Sequence, residues 1–213
     1  MGEKMKFKIR DVILHGNKNL KIYIPEKIPK QLTAVDLIVW DKAIMGNSIA
    51  YEFLRKVFIL AANLNSQEII YIKTKPITSN EYRDIFKYGI FDMDIVLVNY
   101  CGTQLKPKEI LKAIKIKSIP AEYQKEVIIE NNNIKYPDHW RLEKKLSTKR
   151  IKNILIISTN RDVFLKFACD LEYMIGMEDD EEYNFDYHVH EDFIGTSEYN
   201  GFNFLYYHRK QNP

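Results

Sequence analysis

Ile95-Val-Leu-Val-Asn-Tyr100 is the stretch that sets the fold class. Four consecutive apolar side chains leave no polar face, and a strand of this kind is covered on both sides. Just upstream, residues 79–88 read as a short helix introduced by Ser79 and ended by Gly89, and residues 69–73 as a strand. Residues 32–40, Leu-Thr-Ala-Val-Asp-Leu-Ile-Val-Trp, form a second, nearly unbroken apolar run. Between residues 40 and 69 lies a helix over 49–64, capped by Asn47 or Ser48. Its Ile49, Phe53, Val57 and Leu60, with Leu54 and Ala61 beside them, hold one stripe at helical spacing. A basic helix over 108–116 follows the central strand. Strand, helix, strand, helix, strand with short links predicts an α/β fold, with a mainly parallel sheet and flanking helices in the N-terminal part.

Further out, residues 6–14 and 20–24 pair around His15-Gly16-Asn17 as a hairpin that Pro25 and Pro29 close. Residues 117–150 give one strand, 126–130, and the polar basic run 145–150 reads as a connector. It divides the chain into a mildly basic α/β domain, 1–147, and an acidic unit, 148–213, with room for the two to pack as one. The second unit opens with a strand at 153–158. A helix over 161–175 follows, capped by Thr159 or Asn160 and stopped by Gly176. Val163, Phe164, Phe167, Ala168, Leu171, Met174 and Ile175 share its apolar face. A β-hairpin completes this smaller unit. Its arms are Phe185-Asp-Tyr-His-Val-His-Glu-Asp192 and residues 202–208, joined by a long loop ending in Asn200-Gly201.

The chain has 213 residues, 46% hydrophobic and 29% charged, enough to build a sizeable core. No apolar run approaches the ~20 residues of a membrane span, and no apolar segment of a signal peptide follows the basic start. Cys101 and Cys169 lack metal spacing and read as free buried thiols of a reducing, cytoplasmic compartment. No glycine-rich phosphate loop, His-Glu-x-x-His, Gly-x-Ser-x-Gly or Cys-x-x-Cys occurs. Asp36, Asp92 and Asp94, which close on strand ends, read as ordinary loop and cap carboxylates. No catalytic residue and no cofactor is assigned.

Charge is the chain's most uneven property. Residues 167–208 hold eleven acidic side chains and no Lys or Arg, while the whole chain is +3, so the other residues carry +14. Residues 102–166 alone hold 15 basic and 7 acidic side chains. That basic middle lacks interleaved aromatics and the pI is a mild 8.6, which speaks against a nucleic acid partner and leaves it a second alternative. The acidic run Glu178, Asp179, Asp180, Glu181, Glu182 abuts the strand at 185–192, where alternation puts Asp186, His188, His190 and Asp192 on one face and Phe185, Tyr187 and Val189 on the other. Like charges packed together destabilise a compact chain unless a basic partner relieves them. Glu178–Glu182, Asp186, Tyr187, His188, His190 and Asp192 are therefore the expected partner-binding surface. The alternative is a metal-dependent hydrolase or nuclease with His188, His190 and Asp192 as ligands.

The succession of strand, helix, acidic loop and Tyr187-His-Val-His-Glu-Asp192 hairpin resembles the small immunity proteins of bacterial polymorphic toxin systems. Those commonly place a His-x-His strand before a final apolar strand, here 202–207. The resemblance covers the last sixty or so residues, and the basic first 147 depart from it. It implies a cytoplasmic, non-enzymatic inhibitor that docks on a basic protein partner such as a nuclease toxin, with no membrane and no metal involved.

Overall fold

The computed structural model describes residues 2–16, 18–37, 42–76, 88–116, 121–130, 134–138, 142, 145–175, 188–190 and 202–206. Two alternating strands start the chain, β1 (Glu3–Leu14) and β2 (Lys18–Pro25), antiparallel about a turn at Gly16, whose φ is +79°. A short β3 (Thr33–Asp36) and β4 (Lys42–Gly46) follow, also antiparallel. The described part of the run 32–40 supplies β3; residues 38–40 lie outside the described residues. β4, which sequence reasoning missed, begins at a Lys and ends at a Gly. Helix α1 (Ser48–Ala62) comes next, with the Asn47 side chain accepting the Ala50 N–H. Its stripe is buried at Phe53, Leu54, Val57 and Ala61. Ile49, expected on that stripe, is 62% exposed and Leu60 only partly buried, because the buried face is centred on Ala50, Leu54, Val57 and Ala61 and these two lie at its edge.

β5 (Glu68–Ile72) and β6 (Ile90–Asn99) form the centre, followed by α2 (Pro107–Lys115), β7 (Ala121–Ile129), β8 (Ser147–Ile151), β9 (Ile154–Thr159) and α3 (Arg161–Ile175). β10 (His188–His190) and β11 (Phe202–Tyr206) end the described elements, antiparallel to each other as the hairpin reading requires. The basic run 145–150 holds most of β8, an edge strand, so the expected division after 147 falls within that strand. The short helix expected at 79–88 lies almost wholly outside the described residues.

All eleven strands join one sheet, in the order β10-β11-β4-β3-β6-β5-β2-β1-β7, with β9 also on β6 and β8 on β9. β6 is the branch: β3 runs along its first residues and β9 along Asp94–Asn99. At the branch two residues of β6, Phe91 and Asp92, face one of β3, Val35, a bulge where Asp92 takes φ +58°. Among the described residues β2/β5, β6/β9 and β4/β11 are parallel and the other seven pairings are antiparallel. The expected mainly parallel sheet is therefore a mixed, mostly antiparallel one. The run of β6 and the described part of the run 32–40 are buried on both faces, as read, but two-sided burial does not fix strand direction. Helices α1 and α3 cover one face, over Phe7, Ile70, Leu97 and Leu155. Helix α2 covers part of the other, over Val96, Val98, Ile154 and Ile156. Both-sided burial thus produces the same sequence pattern whichever way the neighbouring strand runs. Among the described residues no helix is long and apolar enough to cross a membrane.

Candidate binding surface at the β4–β11 end

Phe202, Phe204 and Tyr206 alternate along β11 and face the helices. Their rings close a cluster with Tyr51 and Phe58 of α1 and Phe164 and Phe167 of α3. Phe167 lies 5.5 Å from Phe202 and 5.3 Å from Phe204, and Phe58 lies 5.9 Å from Phe204, with edge-on or tilted rings. Phe167 and Leu171 are 0% exposed, as the helical stripe of 161–175 requires. The Tyr51 hydroxyl shares its one proton between the carbonyls of Ile44 on β4 and Leu205 on β11, which links the parallel pair. Burial pushes its phenol well above the ordinary tyrosine value. The last residue of β4, position 46, is a glycine, where a Cβ would stand 2.8 Å from the Ala50 Cβ.

This packing fixes the points between which the acidic segment runs. The Ile175 carbonyl, at the end of α3, accepts the hydroxyl of Ser48, the first residue of α1, at 2.7 Å. β10 then returns on the outer side of β11, with His188 opposite Leu205, Val189 opposite Phe204 and His190 opposite Asn203. Of the candidate residues, His188 and His190 are therefore on a strand, as expected. Glu178, Asp179, Asp180, Glu181, Glu182, Asp186, Tyr187 and Asp192 lie outside the described residues. Among the described residues no three His, Cys, Asp or Glu side chains come together to hold a metal ion.

Two other acids of the block are on α3 and already matched. Asp170 takes the Lys166 ammonium, itself buried and 5.9 Å from the Tyr136 ring centre, and Glu172 takes Arg55 of α1 at 2.6 Å. The thiol of Cys169, partly buried between them, is pushed up by burial and then by Glu172 and Asp170. Cys101 is exposed, contrary to the expectation of two buried thiols, because β6 ends at Asn99 and the chain turns outward there.

Two carboxylates are buried: Glu68, which sequence reasoning missed, and Asp94, which it read as a loop or cap carboxylate. Glu68, at the start of β5, accepts from the Tyr23 hydroxyl (3.1 Å) and the Asn65 N–H (2.9 Å), while its own N–H and carbonyl engage the Thr103 hydroxyl. Asp94 lies inside β6 rather than at a loop. It accepts from the Tyr71 hydroxyl at 2.5 Å and the Thr74 N–H at 3.1 Å. Burial raises its pKa, against the lowering effect of those two donors. Both carboxylates act as staples between strands and loops, with their hydrogen bonds made inside the fold. No spacing in the sequence marks either. Asp36 likewise has a structural partner, Arg150 of β8, at 2.7 Å across the branch of the sheet.

No protein-family model matches the chain, and no curated protein or solved structure matches it.

Proposed function

We propose that the protein is a non-enzymatic binding protein of the immunity type, which docks an acidic, aromatic surface on a basic protein partner such as a nuclease toxin. The observation that supports this most is the double tether of the acidic segment. The chain leaves α3 at Ile175, held by Ser48, and comes back through β10 and β11, sealed to α1 and α3 by buried rings. A segment with nine carboxylates after Ile175 and no Lys or Arg is thus tied at both sides to one end of a rigid sheet. A negative field there reaches about a Debye length, ~8 Å at physiological salt, and speeds encounter with a basic surface by ~10-fold or more.

The test is capture of the partner from the native host, then association rates at two salt concentrations for the wild type and for D179K/D180K/E181K. The expected result is a 1:1 complex that blocks the partner's activity, forms more slowly at high salt, and forms more slowly still with the triple variant. An association rate indifferent to salt, or unchanged in the triple variant, overturns the reading.

A further inference from the structure

Helix α2 and strand β8 lie more than thirty residues apart in the chain and share one face of the sheet. Ile110 and Ala113 of α2 are buried against Ile154 and Ile156 of β9. Lys149 of β8 stands opposite Ile156 in the antiparallel register, and directly opposed residues share a face. Lys149 therefore emerges on the α2 side. On α2 itself, Lys108, Lys112 and Lys115 are exposed, at spacings of four and three, so they form one stripe pointing away from the buried side. The stripe is about 10 Å long at 1.5 Å of rise per residue. None of these four lysines makes an ion pair among the described residues. The acid within α2, Glu109, is turned back to accept the Lys106 N–H at 2.7 Å.

We propose that this face binds the phosphate backbone of a nucleic-acid duplex without reading its bases. A duplex presents one negative charge per ~1.7 Å of axis, so a straight row of ammonium groups about 10 Å long meets several phosphates. Lysine is a point-charge donor suited to contacts of this kind. A membrane surface fits less well, because the apolar side of α2 is mostly spent on the core: Ile110 and Ala113 are buried, and Leu111 and Ile114 are partly buried against the same cluster. A protein partner fits less well too: the large apolar side chains exposed among the described residues, Tyr123, Tyr136 and Tyr173 included, fall on neither α2 nor β8. The sequence alone spoke against nucleic acid because the basic middle lacks interleaved aromatics and the pI is mild; backbone contacts need no stacking rings, and the register gathers the lysines of α2 and β8 on one face. The acidic segment plays no part in this binding.

The experiment is fluorescence anisotropy of a short labelled DNA duplex of mixed sequence, titrated with the full chain from about 50 to about 200 mM salt. Four lysines on the backbone give a slope of log affinity against log salt of roughly −3 to −4, whatever the base sequence. K108Q/K112Q/K115Q keeps good helix formers at exposed positions and should bring the slope to roughly −1, with affinity at least ~10-fold lower at the lower salt. D179K/D180K/E181K should bind the duplex no more weakly than the wild type, which separates this site from the proposed protein-docking surface. The proposal is overturned if the wild type leaves the duplex unbound at the lower salt, or if the triple Gln variant, still folded by circular dichroism, keeps the wild-type slope. Tighter binding to polyglutamate or to phosphatidylserine vesicles than to the duplex overturns it in favour of an acidic protein or a membrane.

Discussion

The two ends of the sheet are held by opposite kinds of chemistry. At the β4–β11 end, seven aromatic rings from α1, α3 and β11 are packed away from water and a buried phenol bridges two strands. At the β1–β7 end, residues 121–126 of the last strand are all exposed, and charges join it to its neighbour: Lys4 with Glu126, and Lys8 and Arg10 with Glu122. Exposed ion pairs contribute little and are screened by salt, whereas a buried ring cluster is insensitive to salt and intolerant of gaps. The difference teaches where rigidity is placed. Buried rings lie under the end that carries the acidic segment, whereas the opposite edge relies on a nine-residue backbone ladder and exposed ion pairs.

Phe167→Ala should show the largest effect, because it removes a ring that touches both Phe202 and Phe204. The expected loss is about 3–5 kcal/mol in denaturant unfolding, with faster hydrogen exchange in β11 than in β7. A loss no larger than that of a surface substitution would break the contrast between the ends. Tyr51→Phe should cost about 1–3 kcal/mol, since two strand carbonyls lose a donor in a buried place. It also carries a pH signature. The folded chain holds the phenolic proton more tightly than the unfolded chain does, so this contribution is complete below the ordinary tyrosine value of ~10 and fades as pH rises above it. Wild-type stability should fall above that pH, and the Phe variant should fall less steeply.

The smallest effect belongs to Glu122→Gln at the other end. Hydrogen bonds from Lys8, then Arg10, hold the Glu122 carboxyl below its usual range. Its contribution is therefore present above the ordinary glutamate value and is lost as pH falls through the depressed one. Wild type and variant should differ slightly at neutral pH and low salt, and become indistinguishable in acid or at high salt. A difference that survives high salt would mean that this edge does not rely on exposed ion pairs.

Helices α1 and α3 were legible because their apolar stripes repeat at helical spacing and their ends carry polar caps. Most strands were legible from apolar runs or alternation, which report burial. Strand direction was not, since burial by helices on both faces reads alike for parallel and antiparallel neighbours. β8 was hidden because an edge strand that shows Lys149 and Arg150 to solvent looks like a basic connector. β4 was hidden because it is five residues long and ends in the glycine that Ala50 demands. Glu68 and Asp94 were invisible as buried groups because their donors come from tertiary contacts that no local spacing encodes. At the candidate surface, the sequence located the His188–His190 strand and its antiparallel partner, and charge alone named the rest.

The pairing of β4 with β11 brings residue 42 beside residue 202, which are 160 positions apart in the chain. Closing so long a loop is entropically slow to reward, since each doubling of length adds about 0.6 kcal/mol of closure cost, and distant pairings slow folding as a whole. During synthesis α1 and α3 can meet soon after residue 175 has emerged, but the ring cluster still lacks its third wall. Tyr51, Phe58 and Phe167 stay uncovered, and the edge of β4 unpaired, until Phe202–Tyr206 arrives. The last strand described is thus also the last that can fold. A nascent chain stalled before residue 202 presents an aromatic surface and an open strand edge together, the features that chaperones hold and aggregation exploits.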